Sequence, residues 1–518
     1  MKSYKAFPFL TLLACISLCS CYHQFSTGSG GGGGGGGSNS NKVSFVLVAD
    51  TPPANLGLIS FRVNISSVTL TSSSGTQTTL TVNGASGLTV DLVRLQSDSA
   101  FLGTLSNMPT GGISSITISF SNPQLAFFNG TGAAITNLNP QCLANTVCTV
   151  TFPAVGAPII TTSATINGNT GFGIDFNLAN ALTLTGASLT LDLTNTTTTK
   201  VVSAFTLPRT NSNLATGQLD LIEDFTGVVT LSNSNVAIAS NSNVGRGSIT
   251  ATANSSTVLD ADPSGTLCKT PAQGSVSTCV SNNQVASMDA ILNSDGTFTI
   301  REIEPLLASP VVDTVEGTIA SINANNQTQF SLLATDLFPA AQNSLIGNLH
   351  LGDPLTVNLS TSVKPFLIDT KGLPVASQFA GNFGSFSGAT NTTALHLGQA
   401  VAVHITSFTA ATGTTAAASN ADTVTLRWSR FVSTASIASS PAFTVSALPG
   451  YFGFTQASTF QIESFGGTQG TVGVTNLDGV TSTGNLTPGN PVAVRALFIE
   501  DTGNTLNPAF FAAKVRQH

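Results

Sequence analysis

Ile113-Ser114-Ser115-Ile116-Thr117-Ile118-Ser119-Phe120 decides the fold class. From Ile116 onward the apolar side chains fall on every second residue, with Thr117 and Ser119 between them. A period of two puts one set on a dry face and the other in water, which is the pattern of a half-buried strand. The same alternation opens the body of the chain after its Gly-rich stretch, in Val43-Ser44-Phe45-Val46-Leu47-Val48, and returns in Leu189-Thr190-Leu191-Asp192-Leu193. Helical periodicity is hard to find. Hydroxyls on one face and Val, Ile, Leu and Phe on the other predict antiparallel sheets with one solvated side. Turn residues recur about every 8–12 residues, as in sandwiches and barrels. Asn83-Gly84, Asn167-Gly168 and Asp295-Gly296 are the strongest hairpin signals. The expected fold is all-β: an antiparallel β-sandwich over 42–210, then tandem small β-barrel-like repeats over 213–311, 312–430 and 431–518.

Composition agrees with this and removes some functions. The chain has 518 residues, 41% hydrophobic and only 8% charged. Ordinary domains carry about 25% charge, so Ser, Thr, Asn and 49 Gly must cover the surface here. Apolar content near normal excludes global disorder. The net charge is −7, and no Lys or Arg lies between Arg94 and Lys200. A span that long without a phosphate-neutralising group argues against nucleic acid as a partner. One Trp and three Tyr stand beside 31 Phe, which leaves little for sugar-stacking platforms or for the aromatic girdles of a membrane barrel.

The N-terminus reads as an address. Lys2 and Lys5 precede an apolar stretch, Ala6 to Leu18, too short to span a bilayer. Leu18-Cys19-Ser20-Cys21 resembles a bacterial lipobox, with Cys21 as the lipidated residue; Leu12-Leu13-Ala14-Cys15 offers Cys15 as the alternative. The expectation is a signal peptide over 1–21 and a tether over 22–41, which holds the unbroken run Gly30 to Gly37. Such a tether is a flexible coil with an end-to-end distance of about 25 Å. The expected location is therefore the bacterial envelope, with the membrane as a partner through the lipid. Tyr22 rather than Asp after the Cys favours the outer membrane.

Four later cysteines form two local pairs, Cys142 with Cys148 and Cys268 with Cys279. In an exported chain they predict disulfides; a zinc site would need tighter spacing and nearby His.

The C-terminal part repeats itself. Leu395-His396-Leu397-Gly398-Gln399-Ala400-Val401-Ala402-Val403 matches Leu486-Thr487-Pro488-Gly489-Asn490-Pro491-Val492-Ala493-Val494. The Gly should turn the chain into a strand whose Val residues point inward. Leu349 to Val357 is a third match inside the second unit, either an internal hairpin or chance. Gly227-Val228-Val229, Gly317-Thr318-Ile319 and Ser436-Ile437-Ala438 are candidate unit starts, each expected to open a strand. Thr299-Ile300-Arg301-Glu302-Ile303 and Thr425-Leu426-Arg427-Trp428 look like matching unit ends.

Several segments in order resemble a domain-of-unknown-function family of bacterial lipoproteins, numbered 4382. These are Val46-Leu47-Val48-Ala49-Asp50-Thr51-Pro52-Pro53, Val90 to Gln96, Met108-Pro109-Thr110-Gly111-Gly112 leading to Ile116, and Gly173 to Leu178. Ile113 stands where that family often has Tyr. The resemblance covers about 42–208. The Leu395, Gly398, Val401, Val403 spacing is similar to a second unknown-function family of small β repeats. Neither family implies an activity.

Chemistry-bearing motifs are sparse. No phosphate loop, no His-Glu-x-x-His and no Gly-x-Ser-x-Gly elbow is present; Gly384-Ser385-Phe386-Ser387-Gly388 has Phe at its centre. His396 and His404 flank one predicted strand and need not converge. Asp260, Asp262 and Asp289 are conceivable Ca²⁺ ligands without the loop spacing. Asp50 reads as a turn former, and Arg94 with Asp91 as a structural or solvated charge set. The expectation is a non-catalytic, cofactor-free envelope lipoprotein, structural or binding, with capture of a glycan or peptide as the alternative.

Overall fold

The computed structural model describes residues 41–518 except 54–55, 234, 240–246, 261–267, 269–271, 274, 307–311, 341, 380–385, 414, 455–458, 470 and 500–508. Cys15 and Cys21, with residues 22–40 of the tether, lie outside the described residues, while Asn41, expected as the tether's last residue, begins the first strand.

The first module comprises, in order, β1 (Asn41–Ala49), β2 (Leu56–Ser72), β3 (Gln77–Thr81), β4 (Leu88–Asp91), β5 (Ala100–Met108), β6 (Gly111–Asn129), β7 (Val147–Thr151), β8 (Val155–Gly156), β9 (Ile159–Thr161), β10 (Thr165–Ile166), β11 (Thr170–Phe176), β12 (Leu182–Thr185), β13 (Ser188–Leu191) and β14 (Val202–Leu207). One sheet runs β14-β11-β1-β5. The other runs β10-β6-β2-β3, with β4 added to β2 and β7, β8 and β9 to β6. Their inner faces share one core: Phe61, Val63 and Ile65 of β2 meet Phe45 and Leu47 of β1 and Phe172, Ile174 and Phe176 of β11. This is the expected sandwich. All its sheet pairings are antiparallel except β1 with β11, which is parallel. β1 is buried nearly throughout because its other face is covered as well: Val46 packs with Ile222 and Phe225 of the next module. Buried on both sides, β1 reads as a continuous apolar run rather than an alternation.

Three closed barrels follow. The first uses β15 (Gln218–Ser232), β16 (Asn235–Ala239), β17 (Ser248–Thr252), β18 (Val258–Leu259), β19 (Ala272–Gln273), β20 (Val285–Asn293) and β21 (Phe298–Pro305). The second uses β22 (Thr314–Ile322), β23 (Gln329–Phe338), β24 (Pro354–Leu359), β25 (Leu367–Ile368), β26 (Ala400–Thr409) and β27 (Ala417–Arg427). The third uses β28 (Ser429–Ile437), β29 (Ala442–Val445), β30 (Phe460–Ser464), β31 (Asn476–Asp478), β32 (Pro491–Ile499) and β33 (Ala509–Gln517). The connectivity of their main strands is the same, with β19 an addition to the first. In the second barrel β22 pairs antiparallel with β23 and β26, β26 with β27, and β23 with β24, while β24 closes on β27 in parallel. Each barrel thus has five main strands in the order 1-2-3-5-4, returning to 1. This is a five-stranded Greek-key barrel of the OB type. After the third main strand, β18, β25 and β31 each add to the fifth in parallel. Closure removes the sheet edges that a charge-poor chain cannot protect with Lys.

The repeated motif marks one turn. Gly398 (φ +82°) and Gly489 (φ +90°) precede the fourth strands β26 and β32. Their N–H groups donate to Ile319 O and Ala435 O of the first strands, at 2.9 and 2.8 Å. Val401, Val403, Val492 and Val494 point inward and are fully buried. The first barrel makes the same turn with Asn283 (φ +62°), whose N–H donates to Val229 O at 2.9 Å. Asn tolerates the left-handed region, so this copy carries no Gly to reveal it. The match at Leu349–Val357 uses the same turn before a third strand, β24: Gly352 N–H donates to Ala334 O at 2.7 Å.

Other expectations need correction. Gly227 and Gly317 lie inside β15 and β22, and Ser436-Ile437 ends β28 rather than opening a strand. Asp295-Gly296 does turn the hairpin β20–β21. Asn83-Gly84 joins β3 to β4, which both pair with β2. Asn167-Gly168 joins β10 to β11, which belong to different sheets. All three pairs stand between strands, but a turn does not fix which strands pair.

Candidate functional site

In this charge-poor chain the charges converge. Lys and Arg are rarely buried unless paired, yet Lys371, Arg427, Arg495, Lys514 and Arg516 are all buried, together with Asp98, Glu223, Asp224, Asp289, Glu316 and Asp369. They lie between the modules, outside the apolar barrel cores. Asp224 is the hub. Its Oδ1 is 3.4 Å from Lys371 Nζ and 3.8 Å from Arg427 Nη2; its Oδ2 is 2.5 Å from Arg430 Nη2 and 3.8 Å from Arg495 Nη1. One carboxylate of the first barrel therefore meets cations from the second and the third. Burial alone would raise the Asp224 carboxyl, but Lys371, Arg495, Arg430 and Arg427 outweigh burial and hold it well below the usual carboxylate range.

The sandwich joins through its 94–98 segment. Arg430 Nε and Arg495 Nη1 reach Asp98 at 3.1 and 3.3 Å. Arg516 Nη1 donates to the carbonyls of Leu95, Gln96 and Asp98 at 3.1, 3.2 and 2.9 Å. Arg94 pairs with Asp336 of β23 at 3.1 Å. It does not pair with Asp91, whose Oδ1 instead accepts the N–H groups of Phe61 and Val93. The expected Arg94–Asp91 charge set is therefore replaced by one that crosses modules. A local sequence reading favours near neighbours, whereas the partner here is 242 residues away.

Local backbone geometry places the hub. β15 carries a register shift between Ile222 and Phe225, and Asp224 sits there at φ +50°. Such a bulge turns side chains off the regular alternation. Ile222 and Phe225 still enter the barrel core, while Glu223 and Asp224 go to the junction. Glu223 pairs with Lys514, and its Oε1 accepts from Asn476 Nδ2 at 2.5 Å. β20 and β32 have register shifts at the matching places, after Asp289 and Arg495.

A cavity of about 300 Å³ opens beside the junction, between the first and third barrels. Arg209, Arg301 and Lys514 face Asp220, Glu223 and Asp478 across it, over a floor that includes Leu219, Leu221 and Ile291. Burial, then Asp478, pushes the Asp220 carboxyl up. Burial opposes ionisation of Asp478, but Arg516, Lys514 and Arg209 override it and hold that carboxyl low. Two carboxyls driven apart in this way are what acid–base chemistry uses. Here, however, Asp478 Oδ2 accepts from Arg516 Nε at 2.7 Å, so the base is already engaged.

The remaining sequence candidates are dispersed. Cys142–Cys148 and Cys268–Cys279 are disulfides, with Cα–Cα separations of 5.8 and 5.3 Å. His404, in the middle of β26, has its Nδ1 2.6 Å from Asp422 Oδ1, while the backbone N–H of His396, before the strand, donates to Gln399 Oε1, so the two do not share a site. Asp289 is taken by Arg301 at 2.9 Å and by Lys371 at 3.4 Å, and Asp262 lies outside the described residues. No cluster suited to a metal occurs among the described residues, so the Asp260, Asp262 and Asp289 calcium idea gains nothing. Asp50 forms its turn, accepting Thr51 N–H at 2.6 Å. Gly384 and Ser385 of the Gly-Ser-Phe-Ser-Gly stretch lie outside the described residues; Phe386 is buried.

No protein-family model matches the chain, and a comparison with curated proteins found no match.

Proposed function

We propose that this chain is a non-catalytic, lipid-anchored binding protein of a bacterial envelope. The lipobox at Cys21 and the tether over 22–41 would hold the folded head near the outer membrane, as the resemblance to envelope lipoproteins implies. The observation that carries the reading is Asp224 with its four cations. Asp224 ties the three barrels together, and Arg430 and Arg495 extend the same cluster to Asp98 of the sandwich, which supports a fixed relative placement of the four β modules and of the polar surfaces between them. The partner on the far side of the tether is a glycan or a protein. Capture of a glycan is favoured by a polar trough on the outer sheet of the sandwich.

Intact mass and membrane fractionation of the native chain beside Cys21→Ala test the anchor. A lipid-sized mass increment, lost in a variant that moves to the soluble fraction, supports it. An unmodified N-terminus, or a variant that fractionates as the native chain does, contradicts it.

A further inference from the structure

The outer face of the sandwich carries a trough of about 700 Å³ at its junction with the second barrel, within the usual range for ligand sites. Strand alternation builds its floor. Phe61, Val63 and Ile65 point into the core, so Ser60, Arg62 and Asn64 point out. Cross-strand pairing sets Arg62 beside Gln124, Gln124 beside Thr151, and Asn64 beside Thr89. The floor is thus a row of amides, hydroxyls and one guanidinium at strand spacing, about 4.8 Å apart. β6 has a register shift opposite Arg62 and Asn64, where Asn122 takes φ +53° and adds another amide to the lining.

The 350–353 turn of the second barrel makes the wall. Gly352 takes φ +79° there, and a Cβ on it would lie 3.2 Å from Arg62 Nη2. Asp353 Oδ2 accepts His350 N–H at 2.8 Å. Arg62 donates to Gln124 Oε1 at 2.5 Å and makes no ion pair among the described residues. A guanidinium has five N–H donors, so most of this one's capacity faces the trough.

We propose that this trough binds a neutral, unbranched oligosaccharide through side-chain hydrogen bonds, with Arg62, Gln124 and Thr151 as its central contacts. The inference rests on reading the head as a binding module. The backbone groups of the floor are used in the ladders β2–β6, β6–β7 and β2–β4, so a peptide would find no main-chain partners on this face. Side-chain amides, which donate and accept side by side, suit vicinal hydroxyls instead. Among the described lining residues Arg62 and Asp353 carry opposite formal charges, and Asp91 is the cross-strand neighbour of Arg62, so the lining favours neither an anionic nor a cationic ligand. Among the described residues the lining holds no Trp or Tyr, so recognition would proceed without stacking and with modest affinity.

The test is ligand-observed NMR and calorimetry on the full chain with cellotetraose, xylotetraose, mannotetraose and tetragalacturonate. Arg62→Met keeps the side-chain stem and removes the donors; Thr151→Val removes one hydroxyl at constant shape. Both are checked for an unchanged melting temperature. At least one neutral tetramer should bind. Arg62→Met should weaken it about 10- to 100-fold, the loss expected for hydrogen bonds from a charged donor, and Thr151→Val by a smaller factor. Preference for tetragalacturonate would overturn the neutral class while leaving a binding head in place. Binding insensitive to both substitutions would overturn the location. A blank panel would overturn the trough as a sugar site and, unlike the fractionation, would say nothing against the anchor.

Discussion

Asp224 stands at φ +50°, a region that Asp tolerates better than most residues, and faces four cations. Asp224→Asn keeps the shape and the backbone tolerance but removes the charge. Removing one partner from a buried ionic group typically costs about 3–5 kcal/mol, and we expect unfolding of Asp224→Asn to begin at clearly lower urea than in the native chain. A change within experimental error would contradict the hub role. Glu302 tests the same junction by pH. Burial, then Asp289, pushes its carboxyl up to about 8. The protonated form is the one the fold accommodates, so its contribution is complete below the ordinary value near 4.5 and is lost as pH rises through about 8. Glu302→Gln should therefore lose less stability than the native chain between about pH 5 and 9, as read from melting temperatures. Parallel pH profiles for the two proteins would refute this. The sequence displayed these residues without disclosing their purpose. Arg301, Glu302 and Arg427 were visible as marks of repeated unit ends, but the partners of strand-borne charges lie hundreds of residues away and depend on how the barrels pack.

At the scale of elements, local signals are legible in the sequence. Alternation located the strands, and adjacent cysteines located the disulfides. The Gly turn before the fourth strand was found in two barrels and missed in the first, because Asn283 adopts the same conformation under a different letter. Gly398 and Gly489 should respond differently to Ala. Both would force Ala into the left-handed region, at about 1–2 kcal/mol. At Gly489 a Cβ meets nothing within 4 Å, whereas at Gly398 it would lie 2.4 Å from Phe452 Cδ1. Chemical denaturation should find Gly398→Ala clearly the more damaging, and Asn283→Gly close to neutral. Equal losses at the two glycines would show that the Phe452 contact does not matter. Removing the Cys142–Cys148 bridge by a double Ser substitution should cost roughly 2 kcal/mol, given its short loop, measured against the native chain under oxidising conditions.

The whole molecule depends on contacts that no local pattern announces. Periodicity and composition made sandwich and barrels legible, but the barrel order 1-2-3-5-4 rests on the parallel closures β17–β21, β24–β27 and β30–β33, which join strands far apart in sequence. The modules then fuse. Leu497, Phe511 and Ala513 of the third barrel belong to the apolar core of the second, and β32 is buried on nearly its whole length for that reason. Trp428, the chain's single Trp, sits between β27 and β28 and is 1% exposed, so its fluorescence reports the junction, while far-ultraviolet circular dichroism reports all the strands. The most direct test of a head fused by its charged centre is urea unfolding followed by both probes. Coincident transitions are expected in the native chain and separated ones in Asp224→Asn. Strand signal lost in independent steps in the native chain, with Trp428 following only one of them, would contradict it.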